Sequence, residues 1–347
     1  MHSDEILRAQ TCDETGDHQG ALNWLVAAAH KQTPGAYTLL GKRYLLGDRA
    51  TFSPPHGVQL LQRGAKQREA EAAHLLSILH ALGVHVAQDW QQALSYLVLA
   101  ADAGWDAAQQ QLLLLSGDRK LADQHNGGTA YWRALARGID LQYWHTPAQP
   151  QLLSQDPRIA RVPDLLSQEL CQWLVQTSTG RLSRALVYDA VQQQTLPHYS
   201  RTNRSAIFGL AETNIVFTLL QIRIAATVQA PLRHLEPVNV LHYKGGEEIQ
   251  NHYDFIDPQV PNYSEQIQRN GDRAITFLVY LNDGYGAGET AFPKVDITHK
   301  GARGEGLFFV NVTAAGAPNL ATLHAGLPPT QGEKWVLTQF IRNRPFF

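Results

Sequence analysis

The stretch that decides the carboxyl-terminal fold reads Tyr243-Lys244-Gly245-Gly246-Glu247-Glu248-Ile249-Gln250-Asn251-His252-Tyr253-Asp254-Phe255. Residues i and i+2 of a β-strand point to the same face, so a strand here would make the His252 imidazole and the Asp254 carboxylate converge. A further histidine, His324, lies downstream in another stretch of short apolar runs. The pattern allows a metal site with two imidazoles and one carboxylate, although a His-x-Asp motif taken alone is more often a surface strand that carries two polar residues.

This donor set indicates the metal. Two histidines and one carboxylate on one side of an ion leave positions open, as in non-haem iron(II) sites. The two cysteines of the chain, Cys12 and Cys171, lie far from these residues in sequence, which disfavours a thiolate site. On ligand type alone, a catalytic zinc site stays open as an alternative.

Short β-prone runs surround the candidate ligands. Turn residues separate them, and several short strands of this kind are typical of a sandwich, barrel or jelly roll. The runs span residues 238–243, 274–281, 306–312 and 334–341, and helices are predicted at 167–177 and 213–228.

Three polar residues on these runs are candidates for binding a small acid. Lys334 begins the last run, where its ammonium could pair with the distal carboxylate of a dicarboxylic acid. The hydroxyls of Tyr243 and Tyr280 could orient the same acid in a largely apolar pocket. Taken singly, such residues are more often a solvated lysine and core tyrosines.

The amino-terminal half repeats itself at an interval of roughly 35 residues, the sequence signature of a helical solenoid. One helix of each unit is anchored at Ala21, Val58 and Ala93, and its partner helix at Ala36, Ala72 and Ala107. Glycines at 47, 83 and 104 suit the turns between helices. The pattern, over about residues 17–117, resembles the Sel1-like subclass of tetratricopeptide repeats, which implies either a protein-docking surface or a structural brace.

Composition and charge exclude several classes of protein. The chain is 44% hydrophobic and 17% charged, which is typical of folded rather than disordered chains. The net charge of -2 gives no general attraction to nucleic acid or anionic membranes, and no apolar stretch reaches the length of a membrane span. With two distant cysteines and no signal-like start, we expect a cytoplasmic protein with neither nucleic-acid nor membrane partners.

Four blocks of the second half, in order, resemble the prolyl 4-hydroxylase family. The blocks are residues 201–203, 243–255, 273–293 and 324–335. The resemblance implies a double-stranded β-helix (jelly roll) with iron(II) held by His252, Asp254 and His324. It also implies that 2-oxoglutarate pairs with Lys334 beside Tyr243 and Tyr280, that O2 is consumed, and that ascorbate is a further candidate cofactor.

The resemblance also implies a substrate, with alternatives. A peptide or protein hydroxylated at proline is the leading hypothesis, with Arg201, Arg204 and Tyr263 as candidate contacts in two long polar loops. A small-molecule (amino acid) hydroxylase and a non-catalytic repeat scaffold are the alternatives.

The predicted organisation is multidomain α + β. A Sel1-like helical repeat domain occupies residues 1–118, a connector with one helix at 129–137 occupies 119–161, and the oxygenase domain occupies 162–347.

Overall fold

A computed structural model describes residues 4–117, 127–189, 194–196, 198–209, 212–256, 267–268 and 270–346. The chain forms two compact units, Met1–Leu141 with Asn214–Thr218, and Gln142–Thr213 with Leu219–Phe347. Over the described residues, every strand lies in the second unit. No helix in this part of the chain combines the length and apolar character needed to cross a membrane.

Antiparallel helices build the first unit. They are α1 (Asp4–Glu14), α2 (His18–His30), α3 (Ala36–Leu46), α4 (Pro54–Lys66), α5 (Ala70–Leu82), α6 (Trp90–Asp102), α7 (Asp106–Ser116) and α8 (Thr129–Arg137). The proline pair 54–55 begins α4, where a missing backbone N–H costs nothing. Helix α8 matches the helix predicted at 129–137, and α9 (Leu141–His145) follows it.

Buried small residues recur along this array and confirm the predicted α-solenoid. Ala36, Ala72 and Ala108 each have 0% of their surface exposed and stand at equal intervals in the sequence. The prediction of Ala107 as the third anchor was wrong by one residue, since Ala107 is exposed. The sequence has alanines at both 107 and 108, so it does not show which of the two is the buried anchor. The helix α7 begins at Asp106 and buries Ala108.

A pair of glycines brings α3 and α4 together. A Cβ on Gly57 would lie 2.8 Å from the carbonyl oxygen of Gly41, and a Cβ on Gly41 would lie 2.8 Å from the Leu61 side chain. Any larger residue at either position would push the two helices apart. The predicted turn glycines Gly47 and Gly83 end α3 and α5 with positive φ, a conformation that glycine adopts without strain.

Two antiparallel sheets form the centre of the second unit. The larger has the order β1-β2-β13-β9-β16-β7-β6-β3, and the smaller has the order β12-β11-β14-β8. Their strands are β1 (Gln151–Ser154), β2 (Ile159–Val162), β3 (Ser183–Arg184), β6 (Arg204–Phe208), β7 (Val238–Tyr243), β8 (Ile249–His252), β9 (Arg273–Tyr280), β11 (Thr290–Phe292), β12 (Ile297–His299), β13 (Gly306–Val310), β14 (His324–Gly326) and β16 (Lys334–Arg342). Two separate pairs join β4 (Val187–Asp189) to β5 (Gln194–Leu196) and β10 (Gly286–Ala287) to β15 (Pro329–Gln331).

The two sheets pack face to face, which confirms the predicted jelly roll. Phe292 of the smaller sheet meets Phe309 of the larger one edge to face, with 5.0 Å between ring centroids. The core between the sheets consists of Ile159, Tyr280, Phe292, Leu307, Phe309 and Val336. Helices α10 (Gln168–Thr179) and α11 (Ile215–Val228) correspond to the two predicted helices of this half.

Residues 151–161, predicted as the end of the connector, instead supply strand β1 and all but the last residue of strand β2 in the larger sheet. Strand β2 pairs with β13, and Ile159 is fully buried there. Pro150 and Pro157 flank these four-residue strands, and this proline-rich texture is typical of loops. The compact units also divide at residue 141, within the segment predicted as connector.

Candidate active site

The two histidines are brought together by strand pairing. His252 ends β8 and His324 begins β14, and the two residues lie directly opposite each other in the antiparallel register. Side chains of directly opposite residues project from the same face of a sheet. The register therefore places both imidazoles on one face of the smaller sheet.

The carboxylate reaches the same point in a different way from that predicted. Asp254 does not lie on the strand with His252, because β8 ends at His252 and the chain bends at Asp254. The bend turns the side chain back toward the imidazoles, so the convergence was predicted correctly but for a wrong reason.

The three side chains form a compact donor set. The Nε2 atom of His252 lies 3.4 Å from Oδ1 of Asp254, and Nε2 of His324 lies 3.3 Å from Oδ2. Ligands bonded at about 2.1 Å in neighbouring positions of one ion are separated by about 3 Å, so these spacings fit a single first-row metal. Within the described part of the chain, no other cluster of His, Cys, Asp and Glu has ligand atoms all within 4.8 Å of one another.

Backbone carbonyls select the tautomer of both imidazoles. Nδ1 of His252 donates to the Gln250 carbonyl at 2.8 Å, and Nδ1 of His324 donates to the Thr322 carbonyl at 2.9 Å. A carbonyl oxygen only accepts, so each Nδ1 carries a hydrogen, and each Nε2 presents a lone pair when its ring is neutral. Histidine ligands of metals are usually oriented in this way.

Asp254 is buried and ionised. Only 8% of its surface is exposed, and it accepts a hydrogen bond of 2.7 Å from the Thr276 hydroxyl. Burial opposes ionisation, but the neighbouring His324 and His252 imidazoles hold the pKa of this carboxyl well below its usual range. The carboxylate is thus available as an anionic ligand.

Aromatic rings enclose one side of the donor set. The Phe309 ring lies 4.6 Å from the His324 ring, and the Phe292 ring lies 5.7 Å from it. Both phenylalanines have 0% of their surface exposed. These rings keep water away from His324 and restrict its rotation.

Lys334 lies in the interior of the same barrel, with 2% of its surface exposed. It stands opposite Tyr243 in the β7–β16 register. Its Nζ lies 5.1 Å from the Tyr243 ring centroid and 5.9 Å from that of Tyr280. The structure therefore brings together the three residues that the sequence assigned to an acid-binding pocket.

Among the described residues, no carboxylate lies close enough to Lys334 to form an ion pair with it. Burial lowers the pKa of Lys334 to about 8, and only Glu289 counteracts this shift. None of the described carboxylates forms an ion pair with its Nζ. A buried ammonium without a partner is costly, so the pocket suits an anionic ligand.

Sequence reasoning missed Tyr285, a third tyrosine beside Lys334. A Cβ on Gly288 would lie 2.9 Å from the Tyr285 ring and 3.5 Å from the Lys334 side chain, so ring and lysine share one wall. The Tyr285 hydroxyl is buried and has no hydrogen-bond partner among the described residues. The Tyr280 hydroxyl, in contrast, forms a hydrogen bond of 2.9 Å with the Thr290 hydroxyl.

The three predicted substrate contacts differ in position. Arg201 pairs with Ile249 at the outer edge of β8, and both Asp254 and Tyr243 act on its guanidinium electrostatically. Arg204 is exposed and pairs with His242, so it projects from the sheet face opposite to that of Tyr243. Tyr263 lies outside the described residues.

Comparison with known proteins agrees with this geometry. Residues 238–342 match the sequence model of the 2OG-Fe(II) oxygenase superfamily, and they contain the whole donor set and Lys334. The chain is 28% identical over 211 residues to "Probable prolyl 4-hydroxylase 9" of Arabidopsis thaliana, covering 56% of this chain and 72% of the relative.

Two solved structures resemble different parts of the chain. One is a viral collagen prolyl hydroxylase of Paramecium Bursaria Chlorella virus-1 in complex with 2OG, with 26% sequence identity and a TM-score of 0.40. The alignment covers 53% of this chain and 95% of the viral chain. A Sel1 repeat protein of Oxalobacter formigenes is 22% identical, covers 41% of this chain and 60% of its own, and gives a TM-score of 0.30.

The cofactors predicted from the sequence, iron(II), 2-oxoglutarate and O2, are those of the matched superfamily. The donor set suits a ferrous ion, and the unbalanced Lys334 suits a dicarboxylate. No finding bears on ascorbate, which stays a prediction. Over residues 238–342, the second unit of this chain is thus similar in sequence to the iron(II)- and 2-oxoglutarate-dependent oxygenases of the 2OG-Fe(II) superfamily.

Proposed function

We propose that this chain hydroxylates prolyl residues of a peptide or protein, with iron(II) held by His252, Asp254 and His324. The observation that carries the proposal is the presence, inside one barrel, of an open three-ligand cluster and a buried lysine that forms no ion pair with any carboxylate among the described residues. An iron–2-oxoglutarate pair satisfies both features, because the ion takes the ligand cluster and the distal carboxylate takes the lysine.

The metal and the surrounding side chains have separate roles in this proposal. Iron(II) supplies the oxygen-activating chemistry when bound, with 2-oxoglutarate as the source of electrons. Lys334 anchors the far end of 2-oxoglutarate and thereby fixes the direction in which it enters. Phe292 and Phe309 exclude water from the ligand cluster, which strengthens electrostatic interactions inside it.

Aromatic side chains near the donor set in sequence favour a proline-rich substrate. Tyr253 and Phe255 flank Asp254 in sequence and stack on each other, with 4.7 Å between ring centroids. Tyr199 is 73% exposed and precedes Arg201, which borders β8. Aromatic-lined surfaces bind extended proline-rich segments with little loss of conformational entropy.

We assign protein docking to the helical array as a second part of this proposal. Leu46 and Phe52, which are 73% and 61% exposed near the turn after α3, are the residues that we assign to this docking. If the array docks protein substrates, Phe52→Ser should raise the KM for a full-length substrate and leave the KM for a short peptide unchanged.

The direct test combines iron(II), 2-oxoglutarate and air with a synthetic proline-rich peptide. We expect succinate to accumulate in step with a mass gain of one oxygen atom on the peptide, located on proline by fragmentation. Free L-proline and a matched peptide with alanine at every proline serve as controls, and neither should gain oxygen.

The same assay separates the alternatives. Oxygen transfer to free amino acids, with none to the peptide, would replace the peptide proposal by a small-molecule hydroxylase. Absence of succinate under all conditions, from a chain that binds iron, would leave a non-catalytic scaffold.

A further inference from the structure

Two buried polar residues lie behind the carboxylate of the donor set. The Thr276 hydroxyl donates to Oδ2 of Asp254 at 2.7 Å, and Nδ2 of Asn311 donates to that same hydroxyl at 2.9 Å. Thr276 is 1% exposed and Asn311 is 0% exposed. The two residues lie on or next to the paired strands β9 and β13, whose interior faces line the barrel.

The direction of this chain of hydrogen bonds is fixed by chemistry. An ionised carboxylate only accepts, so the single hydrogen of the Thr276 hydroxyl is committed to Asp254. The hydroxyl then has only acceptor capacity left, and the Asn311 amide must present its NH2 group. Consequently, Oδ1 of Asn311 is buried and accepts no hydrogen bond from any described residue.

An orphaned buried acceptor of this kind costs about 1–3 kcal/mol. A core asparagine that served packing alone would be replaced by an apolar residue without this cost. The unfavourable Oδ1 is therefore an indication that the Nδ2 hydrogen bond to Thr276, and through it to Asp254, has a function outside packing.

The backbone of Asn311 extends the connection to a second ligand. The Asn319 N–H donates to the Asn311 carbonyl at 2.8 Å, and the Thr322 hydroxyl donates to the Asn319 carbonyl at 2.7 Å. The Thr322 carbonyl is the acceptor that fixes Nδ1 of His324. The Asn311 side chain is thus linked to Asp254 through Thr276, and its backbone carbonyl is linked to the turn that orients His324.

We propose that Thr276 and Asn311 are positioning residues, which hold Asp254 and His324 in metal-binding geometry before the ion arrives. This inference rests on the proposed iron site. Neither side chain lies among the three metal donors, so both act through the ligands. Residues that support ligands in this way typically change metal affinity about 10- to 100-fold when substituted.

The test measures binding of cobalt(II), a spectroscopic substitute for iron(II), to purified full-length chains. Thr276→Val keeps the side-chain shape and removes the hydroxyl, and we expect affinity to fall about 10- to 100-fold with an altered cobalt visible spectrum. Thr276→Ser restores a hydroxyl and should return both readouts toward the wild-type values.

Thr338→Val is the matched control. Thr338 is a buried threonine, 4% exposed, on the neighbouring strand β16, and its hydroxyl has no hydrogen-bond partner among the described residues. This variant should bind cobalt as the wild type does, because it removes a hydroxyl that supports no ligand.

Wild-type affinity and spectrum in a folded Thr276→Val chain would overturn the proposal. If that variant does not fold, Asn311→Ala carries the same expectation of weaker binding, and unchanged affinity there would overturn it equally. A wild-type chain that binds no cobalt would contradict the proposed function itself, an outcome distinct from both.

Discussion

Buried charged groups have different surroundings in the two units. In the helical array, the Glu69 carboxylate is 9% exposed and accepts hydrogen bonds from the Thr38 backbone N–H at 2.9 Å and the Thr38 hydroxyl at 2.5 Å. In the β-rich unit, the Lys334 ammonium is more deeply buried and has no ion-pair partner among the described residues. Glu69 is satisfied within the fold, and Lys334 is satisfied only when a ligand arrives.

The same contrast exists within the β-rich unit. Glu236 is buried between Arg273 and Arg342, which donate to it at 2.7–2.9 Å, so the charge of this carboxylate is paired within the fold. His252, Asp254 and His324 instead direct their metal-binding atoms at one another, at separations that leave room for an ion. A balanced buried charge indicates a structural role, and an unbalanced one indicates a ligand site.

The largest effect should follow loss of a metal donor. His252→Ala or Asp254→Ala should reduce succinate release to the background of an iron-free assay, because two remaining donors hold iron(II) too weakly. Succinate is quantified over time at saturating 2-oxoglutarate. Asp283→Ala, which removes a half-exposed carboxylate of the same unit, should retain full turnover. Turnover that survives in either ligand variant would refute the donor set.

Removal of the unbalanced ammonium should have the next largest effect. Lys334→Ala should raise the KM for 2-oxoglutarate about 10- to 100-fold, as loss of a charge-assisted hydrogen bond worth about 1.5–3 kcal/mol requires. Exposed Lys294→Ala is the control and should leave that KM unchanged. An unaltered KM in Lys334→Ala would remove this lysine from the cosubstrate pocket.

A pH titration should reveal the same group in the intact chain. Burial lowers the pKa of Lys334 to about 8 in the ligand-free protein, so the ammonium fraction declines as pH rises through that value. Affinity for 2-oxoglutarate should therefore weaken above about pH 8, which isothermal titration of the metal-loaded protein can follow. In Lys334→Ala this pH dependence should disappear, and its persistence would assign it to another group.

The smallest effect on catalysis should come from the balanced charge of the array. Glu69→Gln places an amide against the Thr38 donors, and we expect the array to lose about 1–3 kcal/mol of stability in urea unfolding. Succinate release under native conditions should stay unchanged. As a control, Glu71→Gln removes the charge of a partly exposed glutamate that pairs with Lys42, and it should cost about 1 kcal/mol or less. Equal losses of stability in Glu69→Gln and Glu71→Gln would contradict the claim that the fold depends on the buried Glu69 carboxylate.

Long apolar runs with one dominant period were predictable from the sequence. Strand β7 has the bounds predicted, and the interval of the repeats identified the solenoid. The strands of the smaller sheet escaped detection because β11, β12 and β14 have three residues each, too few to establish alternation. Their identity depends on pairing with strands distant in sequence, which no local pattern encodes.

The site residues divide in the same way. His252, Asp254, His324 and Lys334 were identified through a family resemblance, and the structure brings them into one barrel. Thr276, Asn311 and Tyr285 were missed because each is an ordinary residue in an apolar strand or turn. One signal was present for Thr276, since it lies on the same face of its strand as Tyr280, which the sequence assigned to the pocket.

The most direct test of the account is an anaerobic titration of 2-oxoglutarate into the iron(II)-loaded chain, followed by visible absorption. We predict a new absorption band that saturates at one 2-oxoglutarate per chain, that Asp254→Ala abolishes, and that needs a higher 2-oxoglutarate concentration in Lys334→Ala. Absence of the band in the wild type, or an unchanged band in Asp254→Ala, would contradict a single site built from these residues.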